Sequence, residues 1–388
     1  MDFASRRVEL EAWLILLRAP GLGASRLRAL IDEHGSAARA LDATRRAYSA
    51  AEAACRVWVR APDRQRIDDD LEWLSRDTHA LVTVDHADYP PLLRETPGAP
   101  AALFLVGDAS ALWHAQVAIV GSRNATEGGL ANARCFAHAL CAAGLTITSG
   151  LAEGIDAAAH SAALDAGAIT IAVLGTGPDL VFPRRHRELA SRIAQTGALV
   201  SEFPPGTPGR PEHFPRRNRI IAGLALGTLI VEAGLRSGSL ITARSATDQG
   251  REVFAIPGSI HNPLARGCHR LIREGATLVE AADEITDALG PLAARLGARL
   301  RERLDMAEAE SAGPAPTTGR DPARDRLLAA IGHEAMSLDA LIERTGIGAA
   351  TLSSMLLMLE LDGEVASERG GKYVRRQPGR GGGPGHPF

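Results

Sequence analysis

Apolar positions along the chain fall into three regimes. From residue 5 to about 80 they recur at helical spacing, in "RRVELEAWLILLRAP", in "GASRLRALIDEHG" and more weakly as far as Trp73. The link between the first two helices, "APGLG", holds Pro20, Gly21 and Gly23. It reads either as the turn of an αα-hairpin or as a helix–hairpin–helix element whose glycine turn presents backbone N–H groups to a phosphate. Past "HALVTVDHADYPPLLRETPGAPAALFLVGD", short strands that are apolar throughout alternate with helical stretches. Strands are expected at 116–121, 146–150, 170–177, 198–203, 227–233 and 252–258, with a last short one in "ATLVE". Helices are expected between them at 127–143, 185–196, 217–224, 239–249 and 267–274. Uniformly apolar strands separated by helices predict a mostly parallel sheet covered on both faces, a Rossmann-like, doubly wound α/β domain. The third regime, 323–375, predicts three helices followed by a Gly-Gly hairpin, the pattern of a winged helix.

The expected organisation is therefore a helical, SAM-like or helix–hairpin–helix-like domain over 1–80, the α/β domain over 82–290, a linker over 291–322, the winged helix over 323–375 and a disordered tail over 376–388. A chain of 388 residues is too long for one ordinary core, which agrees with this division. Composition adds little: 45% apolar, 23% charged and a net charge of −3 are ordinary for globular proteins, so any basic site must be local. Lys372 is the only lysine, and arginine supplies nearly all positive charge. The placement of arginines, not their abundance, is then the informative quantity. The four cysteines, Cys55, Cys135, Cys141 and Cys268, form no CxxC pair and no zinc spacing with histidine. No metal and no cofactor are expected. The N-terminal apolar run is broken by Glu11 and Arg18, and no stretch has the length of a membrane span, so a soluble cytoplasmic protein is expected.

Ligands of doubly wound sheets bind beyond the carboxyl ends of the strands. Those ends read "GSRNAT", "SGLAEGID", "GTGPDLVFPRRH", "SEFPPGTPG", "EAGLRSGSLITA" and "PGSIHNPLARGCH". Each carries Gly, Ser or Thr where backbone can approach an anion. "GSR" lacks the GxGxxG spacing of a dinucleotide site, yet a glycine turn, a hydroxyl and a guanidinium together suit a phosphate. "RSGSLIT" places Gly238 and Ser239 at a helix start, and Ser239 is also an ordinary N-cap. The positive residues of this edge are Arg123, Arg184, Arg185, Arg216, Arg217, Arg219 and Arg236. They outnumber the partners Asp156, Glu202 and Glu232, and the prolines around 204–215 keep that loop extended. Such a surplus suits an extended polyanion, single-stranded nucleic acid, better than one mononucleotide. Phe182, Phe203 and Phe214 lie in the same loops and are candidates to stack bases. Asp156, His160, Asp179, Glu202 and Glu232 show no nucleophile–base spacing, metal set or Walker lysine, so binding is expected rather than catalysis.

The segments "VAIVGSRNAT", "TSGLAEGIDAAAH", "AVLGTGPDLVFPRRH", "LVSEFPPGT", "HFPRRNRIIAGLA", "LIVEAGLRSGSLITA" and "GREVFAIPGSI" resemble, in order, those of the DNA processing protein A (DprA/Smf) family. The resemblance implies a non-enzymatic single-stranded DNA-binding protein of natural transformation. It implies protection of incoming strands, loading of the RecA recombinase and a homodimer formed through the Rossmann-like domain. By motif it carries the DNA-contacting pocket to Gly121, Ser122 and Arg123, to Ser149 and Gly150, and to Arg184 after the Phe182-Pro183 pair, where lysine is common. Arg217, Asn218 and Arg219 stand as the "RNR" of its most recognisable segment. Between Asp325 and Val374 eight acidic residues face four basic ones, so the winged helix is expected to contact protein rather than duplex DNA. A rival from another class is a phosphoribohydrolase-like nucleotide hydrolase; its "PGGxGTxxE" is absent, and "EAGLRSGSLIT" stands there.

Overall fold

A computed structural model describes residues 3–46, 53–311, 322–331, 336–345, 352, 356, 359, 365–368 and 372–375. Its contacts divide into two units, Met1–Arg303 and Leu304–Phe388.

Five helices open the first unit: α1 (Phe3–Leu17), α2 (Ala24–His34), α3 (Ala37–Arg46), α4 (Ala53–Arg60) and α5 (Arg64–Leu74). Consecutive residues Ala12–Leu16 of α1 are all buried, so α1 is a central helix, enclosed by α3, α4 and α5 rather than lying on them. The α1–α2 turn contains Gly21 at φ +75°, a left-handed conformation that favours glycine. This domain shares a core with the sheet, Trp73 meeting Phe104 edge-on, and one arginine adds a polar tie. Arg18 holds the buried Asp70 through two hydrogen bonds of 2.6 Å, and its Nη2 also donates to the Pro205 carbonyl at 2.8 Å.

A nine-stranded sheet follows, made of β1 (His79–Thr83), β2 (Ala102–Gly107), β3 (Gln116–Val120), β4 (Thr146–Ser149), β5 (Thr170–Val173), β6 (Ala198–Ser201), β7 (Gly227–Ile230), β8 (Glu252–Ala255) and β9 (Thr277–Leu278). The helices among these strands are the single turn α6 (Pro91–Arg94), α7 (Glu127–Ala142), α8 (Ile155–Asp165), α9 (Arg187–Thr196), α10 (His213–Leu224), α11 (Ser239–Asp248) and α12 (Arg266–Arg273). Strand order is β1-β2-β6-β5-β4-β3-β7-β8-β9. β1 and β2 run antiparallel at one edge; from β6 to β9 every pairing is parallel. The doubly wound, mostly parallel sheet expected from the apolar strands is thus present. β3 shows why both faces must be covered. Val117 and Ile119 enter the cluster under α7 and α8, whereas Ala118 and Val120 enter the opposite one, with α10 and α11. The chain winds outward from β3 through β4, β5 and β6, then returns to place β7 on the other side of β3. The carboxyl ends of β3 and β7 therefore flank a topological switch point.

α13 (Ala282–Ser311) runs through the first part of the expected linker with Pro291 inside it. Its stretch of Ala, Leu, Arg and Glu favours helix strongly enough to carry the chain past that proline. The remaining linker residues 312–321 and the expected tail, 376–388, lie outside the described residues. The second unit contains α14 (Pro322–Ile331), β10 (Met336–Ser337), α15 (Leu338–Thr345), β11 (Val365–Glu368) and β12 (Lys372–Arg375), with strand order β10-β12-β11, all antiparallel. Leu327, Ile331, Leu341, Leu352, Leu356, Leu359 and Val365 form its core, which is the winged-helix arrangement. Among the described residues no helix is long and apolar enough to cross a membrane.

Candidate nucleic-acid interface

The β3/β7 switch point opens into a cleft of about 700 Å³. One wall is the turn after β3, Gly121, Ser122, Arg123 and Asn124; another is the start of α10 with Phe214 and Asn218; a third is the start of α11 from Ser237 to Thr242. The tight crossing requires glycine: a Cβ on Gly121 would meet Ile155 Cγ1 at 2.6 Å and the Glu232 carbonyl at 3.0 Å. Ser122 is buried, and its Oγ accepts from the Asn124 amide at 3.2 Å, which holds the turn. Arg123 projects outward, its guanidinium 5.8 Å from the Phe214 ring centroid. α11 follows Gly238, and its first amides are engaged locally, Ser239 N–H with Ser237 Oγ at 3.3 Å and the Leu240 and Ile241 amides with the Ser237 and Gly238 carbonyls, so what this helix start turns toward the cleft is the positive end of its dipole. Ser237 Oγ and Ser239 Oγ share a 2.7 Å hydrogen bond, and Asn218 Nδ2 donates to the Gly238 carbonyl at 3.3 Å. Arg236 is exposed beside them on the same cleft.

The other sequence candidates are placed differently. Arg217 is only 4% exposed. Its Nη1 donates to the Gly150 carbonyl at 2.6 Å and to the Val173 carbonyl, and its Nε donates to Asn218 Oδ1 at 3.2 Å. The guanidinium forms part of the cleft floor, but these donors are already occupied. Burial pushes its pKa down to about 10, against the pull of nearby Asp156. Gly150 is enclosed between these groups: its carbonyl takes Arg217, its amide donates to Asp156 Oδ2 at 3.1 Å, and a Cβ would collide with the guanidinium. Ser149 is fully buried and donates to the Ile119 carbonyl at 2.6 Å. Ser149 and Gly150 therefore brace the floor and offer no free donor to a ligand. Asp156, at the same floor, is raised by burial, which Arg217 and the Gly150 and Ala152 amides only partly offset.

Arg216 and Arg219 both reach Glu202 Oε2, Arg216 at 3.0 Å. Burial lowers Arg219, with Glu202 opposing. The expectation of an extended loop up to residue 216 is corrected: α10 starts at His213, because a proline is accommodated in the first turn of a helix, where its missing N–H has no partner to lose. Phe203 is likewise not a free platform. It is 6% exposed, stacked 4.1 Å from the His213 ring and covered by the Arg216 guanidinium at 5.2 Å. Glu232, weighed as an arginine partner, instead closes the start of α7, accepting from the Thr126 amide at 2.9 Å, Thr126 Oγ1 at 2.7 Å and Asn262 Nδ2 at 3.2 Å. Arg184 and Arg185 lie on a 3₁₀ turn outside the cleft lining; Arg185 pairs with Glu153, and Arg184 is exposed. Among the described residues Arg123, Arg184 and Arg236 have no carboxylate within ion-pair distance. Ile241 lines the cleft too, and no sequence signal marks it, since "LITA" reads as an ordinary helix face.

The acid–base candidates do not converge. His160 is wholly buried, its Nδ1 2.7 Å from Thr170 Oγ1, which itself donates to Ile147, so Nδ1 carries the proton. Burial, with Arg217 and His186 acting in the same direction, lowers it to about 3. Asp179 holds the Gly206 amide at 2.8 Å. Among the described residues no group of three or more His, Cys, Asp or Glu is placed to hold a metal ion.

Three family descriptions match the chain: "DNA recombination-mediator protein A" over residues 80–290, "DprA-like N-terminal HHH domain" over 8–68 and "DprA winged helix domain" over 310–371. Protein Smf of Escherichia coli strain K12 is 46% identical over 313 residues, covering 80% of this chain and 81% of that protein. DNA processing protein DprA of Streptococcus pneumoniae is 47% identical over 197 residues, 51% of this chain and 70% of that one. The X-ray structure of DNA processing protein A from Streptococcus pneumoniae is similar with a TM-score of 0.65 and 35% identity, covering 71% of this chain and 97% of that one.

Proposed function

The chain belongs to the DNA recombination-mediator protein A family, and on that footing we propose that it binds single-stranded DNA in the β3/β7 cleft without acting on it chemically. The observation that carries this reading is Arg123. It is exposed, has no carboxylate within ion-pair distance among the described residues, and lines one cleft with a glycine turn and the positive end of the α11 dipole. Those are three kinds of anion-binding group at one switch point. Phosphates of a single strand follow Arg123, α11 and Arg236, and Arg184 extends the positive surface beyond the cleft. Neither candidate chemistry fits the cleft as well. His160 is wholly buried on Thr170 and does not line the cleft, and the strand-end glutamate that a phosphoribohydrolase reading needs, Glu232, is engaged at α7.

The larger role follows from the family resemblance. We assign to this protein the protection of incoming strands and the loading of RecA in the cytoplasm during natural transformation, as a homodimer through the α/β domain. Leu278 on the short edge strand β9 is 45% exposed, and an apolar residue on an open sheet edge supports that mode of pairing. The test is fluorescence anisotropy of a labelled oligothymidylate and of a duplex at several salt concentrations. Strong, salt-dependent binding of the single strand that an Arg123→Glu variant loses is the expected result. Equal binding of wild type and variant overturns the site.

A further inference from the structure

Arg184 is exposed outside the cleft lining, and the turn after β4 stands between it and Arg123. β4 lies between β3 and β5 in the sheet, so its turn, 150–154, meets the loops that follow both neighbours. On the β3 side the Ile155 amide donates to the Ser122 carbonyl at 3.2 Å. Gly154, at φ +75°, comes so near that a Cβ would meet the Arg123 carbonyl at 2.7 Å. On the β5 side His186 Nδ1 lies 2.9 Å from the Leu151 carbonyl. A carbonyl only accepts, so Nδ1 carries the proton. Among the described residues Leu151 is the one non-glycine at positive φ, +59°. A leucine keeps that conformation where its surroundings impose it. Here the flanking Gly150 and Ala152 amides both donate to Asp156 Oδ2, at 3.1 and 3.3 Å, and Arg217 takes the Gly150 carbonyl. The Leu151 side chain is wholly buried. The turn is thus a fixed block, and His186 joins the next loop to it. The outward-facing Arg185 also crosses to Glu153, but exposed pairs of this kind hold little.

We propose that His186 is a positioning residue for the bound strand: through the Leu151 carbonyl it fixes the 3₁₀ turn Arg184–His186, and so the place of Arg184 relative to Arg123. The proposal rests on the single-strand reading above and adds what sets the spacing of two of its cations. His186 occupies the cap position before α9, yet its side chain makes no hydrogen bond to that helix and crosses to another strand end. α9 has its own hold on the sheet, since Ala190 and Ile193 are buried with Leu151, Leu174 and Leu199. What the side chain fixes is the turn, which the His186 amide closes by donating to the Pro183 carbonyl at 3.0 Å. Among the described residues Arg184 has no carboxylate within ion-pair distance to orient it, so the turn beneath it decides where its charge stands. A strand with regularly spaced phosphates gains from cations already held apart at a set distance, because ordering them on binding costs entropy.

The experiment is a double-mutant cycle read by anisotropy of a labelled oligothymidylate at several salt concentrations, with thermal melts of each protein. It uses wild type, His186→Ala, His186→Asn, Arg184→Ala and the double variant His186→Ala/Arg184→Ala. Arg184→Ala should weaken binding about tenfold and lower the salt slope by about one. His186→Ala should weaken it about fivefold, since a residue that acts through Arg184 costs no more than Arg184 itself. His186→Asn, whose amide can donate in place of Nδ1, should recover most of that loss. In the Arg184→Ala background His186→Ala should change nothing further. A general loosening of the fold would instead lower the melting temperature and weaken binding by the same factor in both backgrounds, and that result overturns the positioning role. So does wild-type affinity in His186→Ala, or an asparagine variant as weak as the alanine one. If Arg184→Ala binds like wild type while Arg123→Glu does not bind, the positioning role falls and the single-strand reading stands. If wild type fails to bind the strand, both fall.

Discussion

The turn after β3 and the first turns of α10 both bring arginines to one cleft, and they use them in opposite ways. At the turn, Arg123 follows a glycine and a buried serine and ends outside, beside the Phe214 ring and, among the described residues, with no carboxylate within ion-pair distance. On α10, Arg217 takes the inward position of a helix stripe, in line with Ile220, Ile221 and Leu224, and is buried with them. Arg216 and Arg219, one turn apart, share the Glu202 carboxylate instead. The difference teaches that the positive charge available to a polyanion is far smaller than the arginine count of the edge. Burial decides which arginines stay open at the cleft and which hold its floor.

The comparison is broken most severely at Arg217. Replacing it with methionine leaves the Gly150 and Val173 carbonyls without their donor and Asp156 without its cation, so stability should fall by about 3–5 kcal/mol in a denaturant titration. A loss near zero would move Arg217 into the company of Arg123. The interior character of the α10 side is sharpened by pH. His160 sits behind Arg217 and is held neutral, with its folded value near 3 and the ordinary unfolded value of 6.5. Stability linked to it is complete above pH 6.5 and declines as pH falls toward about 3. By pH 5 the decline is about 2 kcal/mol, which His160→Gln should abolish in melts across that range. Asp156, raised by burial, contributes in the other sense, its share being present in acid and lost as pH rises through its folded value. Arg123→Ala should do the reverse of Arg217→Met: an unchanged unfolding midpoint, about tenfold weaker strand binding and a salt slope smaller by about one. The smallest effect is expected at Arg185, an exposed partner of Glu153, where alanine should change affinity by less than about twofold and stability by under ~1 kcal/mol.

Much of this was legible before any coordinates. Uniformly apolar strands announce a doubly covered sheet, and its carboxyl-end turns announce where to look. The division of labour among the arginines depended on one helix start. With α10 begun at residue 217, the spacing 217, 220, 221, 224 is cut off at its first member; begun at His213, the same spacing points Arg217 inward. Pro215 hid that start, because proline is read as a breaker although the first turn tolerates it. Which strand ends face a common crevice was not readable either. It depends on β7 lying next to β3, a pairing between residues more than a hundred positions apart. The covered state of Phe203 and the exposed state of Phe182 follow from neighbours contributed by other loops, and no local pattern distinguishes them.

Arg18 has a consequence of its own. It ties a buried carboxylate of the helical N-terminal domain to the Pro205 carbonyl, in the loop that leads into α10. Local opening of α1 or α5 removes one of the loop's hydrogen bonds, leaving it to the Asp179–Gly206 and Gly177–Thr207 contacts, and fixing the loop opposes the opening. Occupancy of the cleft and protection of the N-terminal amides from hydrogen exchange are thereby a single linked equilibrium. A strand bound at Arg123 should slow exchange in α1 and α5, helices that lie outside the cleft lining, and Arg18→Met should uncouple the two.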